Sequence, residues 1–124
     1  MDNCNKFTFA QVRYLICLFR LSQNGYGLKN IDIAGALGHS RPSVHNMLKF
    51  LSDLGMVKQK TFGLAYLTEQ GRLLAEKYAY CFDLLAKTIS QAYGEGTASE
   101  NAICGLLADM PPEKIDELYS KRAT

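Results

Sequence analysis

The feature that most constrains the fold is a short break, Gly38-His39-Ser40, between two stretches with helical periodicity, the first of which runs from Leu28 to Leu37. The apolar positions that predict the buried faces of these stretches are Ile31, Ala34 and Leu37 in the first, and Val44, Met47, Leu48, Leu51 and Leu54 in the second. Ser40 is a favourable N-cap, Pro42 suits the first turn of a helix, and Gly55 favours a stop after it. Two short helices joined in this way predict a helix-turn-helix motif.

The rest of the chain predicts one helix before this motif, and a hairpin and further helices after it. Thr8 and Gln11 have capping-box spacing and open a helix of about 13 residues that ends near Asn24-Gly25. The remaining predicted elements are strands at 57–60 and 64–67 around Thr61-Phe62-Gly63, and helices at about 69–92, from Thr97 to Met110, and 113–121. This order predicts a mainly α (α+β) chain, with a winged helix-turn-helix DNA-binding domain in residues 1–72 and a helical dimerisation region in residues 73–124.

The second helix of the motif has a polar and basic face opposite its apolar positions. Arginine pairs well with guanine and asparagine with adenine in the major groove, and Lys58 and Lys60 share one face of a strand. The predicted base contacts are Arg41, Pro42, Ser43, His45 and Asn46, and the predicted phosphate contacts are Ser40, Lys49, Lys58 and Lys60. The net charge from Gly38 to Lys60 is +3, against +2 for the whole chain, so positive charge gathers where DNA would lie. An ordinary solvated helix face is the competing interpretation, but turn, cap and hairpin all occur in the order that DNA binding requires.

Composition excludes several other classes of protein. A hydrophobic content of 48% with 21% charged residues indicates an ordered globular chain. The first residues lack an apolar leader, and the longest apolar run covers only residues 14–19, so we expect no membrane segment. The four cysteines form no C-x-x-C pair, and we expect a cytoplasmic protein with reduced thiols. No catalytic dyad, paired carboxylates or phosphate-binding glycine loop is present, which predicts a protein that is not an enzyme. His39 and His45 lie six apart across a turn, which matches no standard metal site.

Several short motifs resemble the diphtheria-toxin-repressor and manganese-transport-regulator family of iron-dependent repressors, in its short two-domain form. The matching segments are Tyr14–Leu18, Asp32-Ile33-Ala34, Arg41–Val44, Leu51–Val57 and Leu67–Gly71. The resemblance covers nearly the whole chain, although the second and last segments also recur in other winged-helix families. It implies a transcriptional regulator of repressor type, a homodimer that binds double-stranded DNA at a pseudo-palindromic operator with one winged helix per half-site.

The family binds Mn(II) or Fe(II), and here the sequence departs from it. The positions that correspond to the family's ligands are Arg13, Ile16, Phe82, Cys104, Leu107 and Ala108. Only Cys104 retains a donor atom, and a dication without carboxylates would be desolvated without compensation. We therefore predict that this metal site is replaced by an apolar patch and that the protein has no cofactor.

Two alternatives and a dimer surface complete the predictions. Cys17, Cys81 and Cys104 would be small buried hydrophobes, or would form a soft-metal site or a thiol sensor in a metal- or thiol-responsive regulator. A winged-helix module that binds protein instead of DNA is the other alternative. The predicted dimer contacts form an apolar seam on the long helix: Tyr78, Cys81, Phe82, Leu85 and Ile89.

Overall fold

The computed structural model describes residues 7–22, 27–60 and 63–123 and is mainly helical. The elements in chain order are α1 (Phe9–Leu21), β1 (Leu28–Lys29), α2 (Asn30–Leu37), α3 (Arg41–Asp53), β2 (Val57–Gln59), β3 (Leu64–Leu67), α4 (Glu69–Tyr93), α5 (Glu100–Asp109) and α6 (Pro112–Ser120), followed by a 3₁₀ turn, Lys121–Ala123. The predicted fold class, a winged helix-turn-helix followed by helices, is confirmed.

The predicted caps of two helices are present. The Thr8 hydroxyl accepts from the Gln11 amide at 3.2 Å, and the Gln11 side chain accepts from the Thr8 amide at 3.0 Å, which completes a capping box. The Thr68 hydroxyl accepts from the Gly71 amide at 2.9 Å and caps α4. The helix α1 ends at Leu21, and the predicted end at Asn24-Gly25 lies outside the described residues.

The predicted cap of α5 is wrong. Ser99, not Thr97, accepts from the backbone amide of Ala102, at 3.1 Å, so the helix begins two residues later than expected. The Thr97 hydroxyl instead donates to the carbonyl oxygens of Tyr93 and Gly94, at 3.2 and 2.7 Å. Thr97 therefore donates to carbonyl groups at the end of α4, and Ser99 caps the start of α5.

A three-stranded antiparallel sheet follows the order β1-β3-β2. Leu28 pairs with Ala65 and Lys29 with Leu64, while Lys58 pairs with Tyr66 on the other side of β3. The expectation of one helix from Leu28 to Leu37 is therefore wrong, because its first two residues form β1. Ile31, predicted to face inward, is 55% exposed, and Ile33 is buried in its place.

The described residues divide into two compact units, one formed by residues 14–75 and the other by the residues before 14 and after 75. The largest fully buried side chains of the first unit are Tyr14, Leu15, Leu18, Ile33, Val44, Leu48 and Leu51. Those of the second are Val12, Cys81, Cys104 and Leu107. In the second unit α6 is bonded to α4, since Lys77 Nζ lies 2.8 Å from Asp116 Oδ1 and the Tyr119 hydroxyl donates to Glu76 Oε2 at 2.5 Å.

The start of α4 is joined closely to the start of β2. The Met56 carbonyl oxygen accepts from the Thr68 amide at 3.0 Å, and the Thr68 hydroxyl also donates to the Gly55 carbonyl oxygen at 2.7 Å. One turn into α4, a Cβ on Gly71 would lie 2.8 Å from the Met56 carbonyl carbon and would overlap its oxygen. Only glycine permits this approach, so Leu67-Thr68-x-x-Gly71 sets where the hairpin meets the helix.

Candidate nucleic-acid interface

The helix α3 begins where the sequence predicts. Ser40 has an extended backbone, and its hydroxyl oxygen accepts from the Ser43 amide at 3.2 Å. The Ser40 hydroxyl also lies 2.9 Å from the Ser43 hydroxyl oxygen, and Pro42 occupies the first turn, where no amide hydrogen is needed. The start of α3 is thus fixed by local bonds and stays exposed.

The turn before α3 is anchored from two sides. Gly38 takes a left-handed conformation (φ 72°) that ends α2, which side chains other than glycine adopt with strain. His39 Nδ1 lies 2.9 Å from the hydroxyl oxygen of Tyr14, a buried residue of α1. The Asn30 side-chain amide donates to the Arg41 carbonyl oxygen at 3.3 Å, which links the first turns of α2 and α3. His39 therefore serves the packing of the turn.

The prediction that the polar face of α3 points away from the core is confirmed. Val44, Leu48 and Leu51 are buried, at no more than 1% exposure. The predicted base and phosphate contacts on or beside this helix are all exposed: Ser40, Arg41, Pro42, Ser43, His45, Asn46 and Lys49. Their contacts with DNA remain a prediction.

Two apolar side chains of α3 do not follow the predicted pattern. Leu54 was expected to be buried, but it follows the last helical residue and is 41% exposed. Phe50 is 42% exposed, although sequence analysis assigned it no role. Met47 is half-buried. The buried stripe of α3 is therefore narrower than its apolar sequence suggests.

The wing, which is the hairpin of β2 and β3, follows α3 in the chain and carries two lysines on one side of the sheet. Lys58 and Lys60 are both exposed, and the Lys60 amide donates to the Leu64 carbonyl oxygen at 2.8 Å, so the pairing of the strands extends one residue beyond β2. The Lys60 ammonium lies 5.5 Å from the centre of the Tyr66 ring. The remainder of the predicted turn, Thr61-Phe62, lies outside the described residues.

The positions that correspond to the family's metal ligands do not fit a divalent metal. Ile16, Phe82 and Leu107 are apolar and at most 7% exposed, and Ala108 has no donor atom. Arg13 brings a positive charge, and its Nε lies 3.8 Å from Glu100 Oε1. Only Cys104, 1% exposed, could supply a ligand, and Mn(II) and Fe(II) prefer oxygen and imidazole donors. The replacement of the family's metal site by an apolar patch remains a prediction.

Cys81 is poorly suited to thiolate chemistry. Cys81 is fully buried, and burial raises the pKa of its thiol to about 11, to which the charge of Asp116 adds. The thiol donates weakly to the Ile115 carbonyl oxygen at 3.8 Å. Cys104 is also buried and Cys17 is half-buried. Within the described ranges no three His, Cys, Asp or Glu side chains are grouped so that they could hold a metal ion.

The first half of the predicted dimer seam is already buried within the single chain. Tyr78, Cys81 and Phe82 are at most 7% exposed in the single chain, so they have little surface left to bury against a second copy. Phe7 already packs edge-on against the Tyr78 ring, with centroids 6.3 Å apart. Leu85 and Ile89, further along α4, are only half-buried. These two remain available as contacts.

Comparison with known proteins identifies the fold. Residues 18–61 match the model of the IclR helix-turn-helix domain. The manganese regulator SloR is 20% identical, with a TM-score of 0.68 over 89% of this chain and 53% of that protein. The chain is a winged helix-turn-helix protein. The likeness to SloR is therefore one of fold.

Other solved structures extend the likeness. IdeR from T. acidophilum is 20% identical, with a TM-score of 0.66 over 91% of the chain and 54% of IdeR. The DNA complex of MepR from S. aureus is 22% identical, with a TM-score of 0.58 over 94% of the chain and 75% of MepR. The chain thus spans about half the length of SloR and IdeR.

No curated protein sequence matches it. None of the described helices combines the length and hydropathy needed to cross a membrane.

Proposed function

We propose that this protein is a sequence-specific DNA-binding transcriptional regulator, a repressor that acts as a homodimer without a bound metal. The observation that carries the proposal is the exposed polar face of α3, which begins at the capped Ser40 and displays Arg41 and Asn46. The match to a helix-turn-helix domain over residues 18–61 and the likeness to MepR in complex with DNA support it.

In the proposed complex α3 lies in the major groove. Arg41 donates two hydrogen bonds to guanine, and Asn46 both donates to and accepts from adenine, which are the pairings that best discriminate bases. Ser43 and His45 contact neighbouring base edges or phosphates from the same exposed face. Lys49 and the wing lysines neutralise backbone phosphates, which provides affinity independent of sequence.

A homodimer is supported by an apolar stripe on the second half of α4. Leu85, Ile89 and Tyr93 are spaced four residues apart and therefore share one side of the helix. The first two are half-buried, and Tyr93 is 77% exposed. In the proposed homodimer a second copy covers this stripe, and each copy contributes one α3 to one half-site of the operator. This revises the predicted seam toward the end of the helix.

The deciding experiment begins with selection of an operator from random duplex DNA. Affinity is then measured for the wild type, for Asn46→Ala and for the control Asn101→Ala, which removes an exposed asparagine from α5. We expect Asn46→Ala to weaken binding by about 1–3 kcal/mol and to relax preference at one position per half-site. Asn101→Ala should bind as the wild type does.

Three outcomes would contradict the proposal. The wild type selects no sequence, or Asn46→Ala weakens every operator variant equally, or sedimentation shows one chain on each operator. The same titration with Mn(II), Fe(II), Zn(II) and a chelator, under reducing conditions, tests the absence of a metal requirement. Binding that depends on a metal would instead favour a rebuilt site that contains cysteine.

A further inference from the structure

We propose that the outer face of the wing sheet is a second DNA-backbone surface, in which Lys29 joins Lys58 and Lys60 as a phosphate contact. This inference rests on the proposed function and deepens it, because it adds a residue and a strand that sequence analysis did not assign to DNA binding. We define the wing face as Lys29, Lys58, Lys60, Leu64 and Tyr66.

The strand register puts these five side chains on one side of the sheet. Along β3, Leu64 and Tyr66 share a face, since alternate residues of a strand point the same way. Lys29 is the partner of Leu64 and Lys58 is the partner of Tyr66, and directly paired residues share a face. The position of the Lys60 ammonium 5.5 Å from the Tyr66 ring centre places Lys60 there independently.

The opposite side of the sheet faces the core. Leu28, Val57 and Ala65 are at most 8% exposed, and none of them belongs to the wing face. The three lysines are all exposed. The three lysines therefore lie on the solvent side of the sheet.

The centre of the wing face is built around the Tyr66 ring. A Cβ on Gly27 would lie 2.7 Å from Tyr66 Cζ and 2.8 Å from its hydroxyl oxygen, so the ring lies across the backbone just before β1. Tyr66 thus links the strand that carries Lys29 to the hairpin that carries the other two lysines. No carboxylate occurs in the three strands or in the turn sequence between β2 and β3.

A surface with three cations, no anion and a flat aromatic centre fits the phosphate backbone of duplex DNA. The backbone carries a dense line of negative charge, and each phosphate that a lysine neutralises releases counterions. The occupant is the backbone and not the bases, because lysines on a short sheet present point charges without the paired donors that identify a base. Residues 27–60 also connect this face to α3 within one compact unit.

The test is the salt dependence of binding to the selected operator and to a scrambled duplex of equal length. Full-length Lys29→Ala, Lys29→Arg and the triple change Lys29→Ala/Lys58→Ala/Lys60→Ala are compared with Lys87→Ala, which removes an exposed lysine from α4. We expect Lys29→Ala to reduce the slope of log K against log salt by about 0.9, and the triple change to reduce it by about 2.7, on both duplexes. Lys29→Arg keeps the charge and should restore the slope.

The outcomes separate this inference from the function on which it rests. If Lys29→Ala and Lys87→Ala both keep the wild-type slope while Asn46→Ala relaxes base preference, the wing-face inference is overturned and the proposed function stands. If Lys29→Ala alters base preference instead of slope, Lys29 acts through α3, and the inference is equally wrong. A wild type that binds neither duplex overturns both. Because β1 is only two residues long, urea unfolding of each variant checks that the fold tolerates the change.

Discussion

Replacing Gly71 with alanine tests the joint between the hairpin and α4. The new Cβ would lie 2.8 Å from the carbonyl carbon and 3.0 Å from the Cα of Met56, and would overlap the carbonyl oxygen. These are backbone atoms, so no side chain can rotate out of the way. Either α4 or the start of β2 has to move.

The expected change in the free energy of unfolding combines one stabilising and two destabilising contributions. Alanine in place of glycine favours a helix by at most about 1 kcal/mol. Overpacking costs typically about 1–3 kcal/mol, and moving the Met56 carbonyl weakens two bonds from Thr68, each with a net contribution of about 0.5–1.5 kcal/mol. The overlap dominates, and we expect Gly71→Ala to lower the free energy of unfolding by about 2–4 kcal/mol.

Gly35→Ala is the matched control. Gly35 also lies in a helix, in the same compact unit, but a Cβ there has no atom within 4 Å. Its substitution should stabilise the protein by up to about 1 kcal/mol through helix propensity alone. Urea unfolding followed by circular dichroism, at equal protein concentrations, measures both variants. If Gly71→Ala is as stable as Gly35→Ala, the close approach at Met56 is not real.

Three further predictions concern the turn, the helix cap and the buried thiol. Ser40→Ala should lower the free energy of unfolding by about 1 kcal/mol, and Ser40→Asp, which keeps an acceptor, should restore most of it; equal losses in both would disprove the cap. Tyr14→Phe removes the bond to His39 Nδ1 at constant ring volume and should cost about 1 kcal/mol in the same assay, whereas an unchanged urea midpoint would show that the bond contributes nothing. The Cys81 thiol has a pKa of about 11 in the folded protein and ordinarily 9, so the unfolded chain loses this proton at a lower pH than the folded protein does. The protonated thiol therefore contributes stability that is full below pH 9 and should be lost as pH rises to about 11. Unfolding midpoints from pH 8 to 10.5 should therefore fall more steeply for the wild type than for Cys81→Ala, and parallel curves would contradict the raised pKa.

Much of the fold was predictable because its signals are local. Capping residues such as Thr8, Ser40 and Thr68 act on amides within three residues, so spacing alone locates the start of a helix. The exposed face of α3 follows equally from periodicity. The Thr97 error arose from the same rule, since a hydroxyl near two helices can serve the end of one or the start of the next.

The parts that sequence analysis missed depend on partners distant in the chain. Leu28 and Lys29 become a strand only because β3, more than thirty residues later, pairs with them, and no local pattern reports that pairing. The burial of the first half of the predicted dimer seam within the single chain was missed for a related reason. An apolar stripe indicates that a helix face is covered, but it does not show whether the same chain or a second copy covers it. Tertiary packing decides this: it buries Tyr78 and Phe82 within the chain and leaves Ile89 half-buried.

Among the described strands, β1 and β2 form the two edges of the wing sheet, and an edge strand is where a strand from another molecule can pair. Its edge strands are only two and three residues long, and each carries an exposed lysine, Lys29 on β1 and Lys58 on β2. Short, charged edges discourage edge-to-edge aggregation. The lysines of this sheet therefore also keep the free protein dispersed, and replacing them with large apolar residues would promote self-association at high concentration.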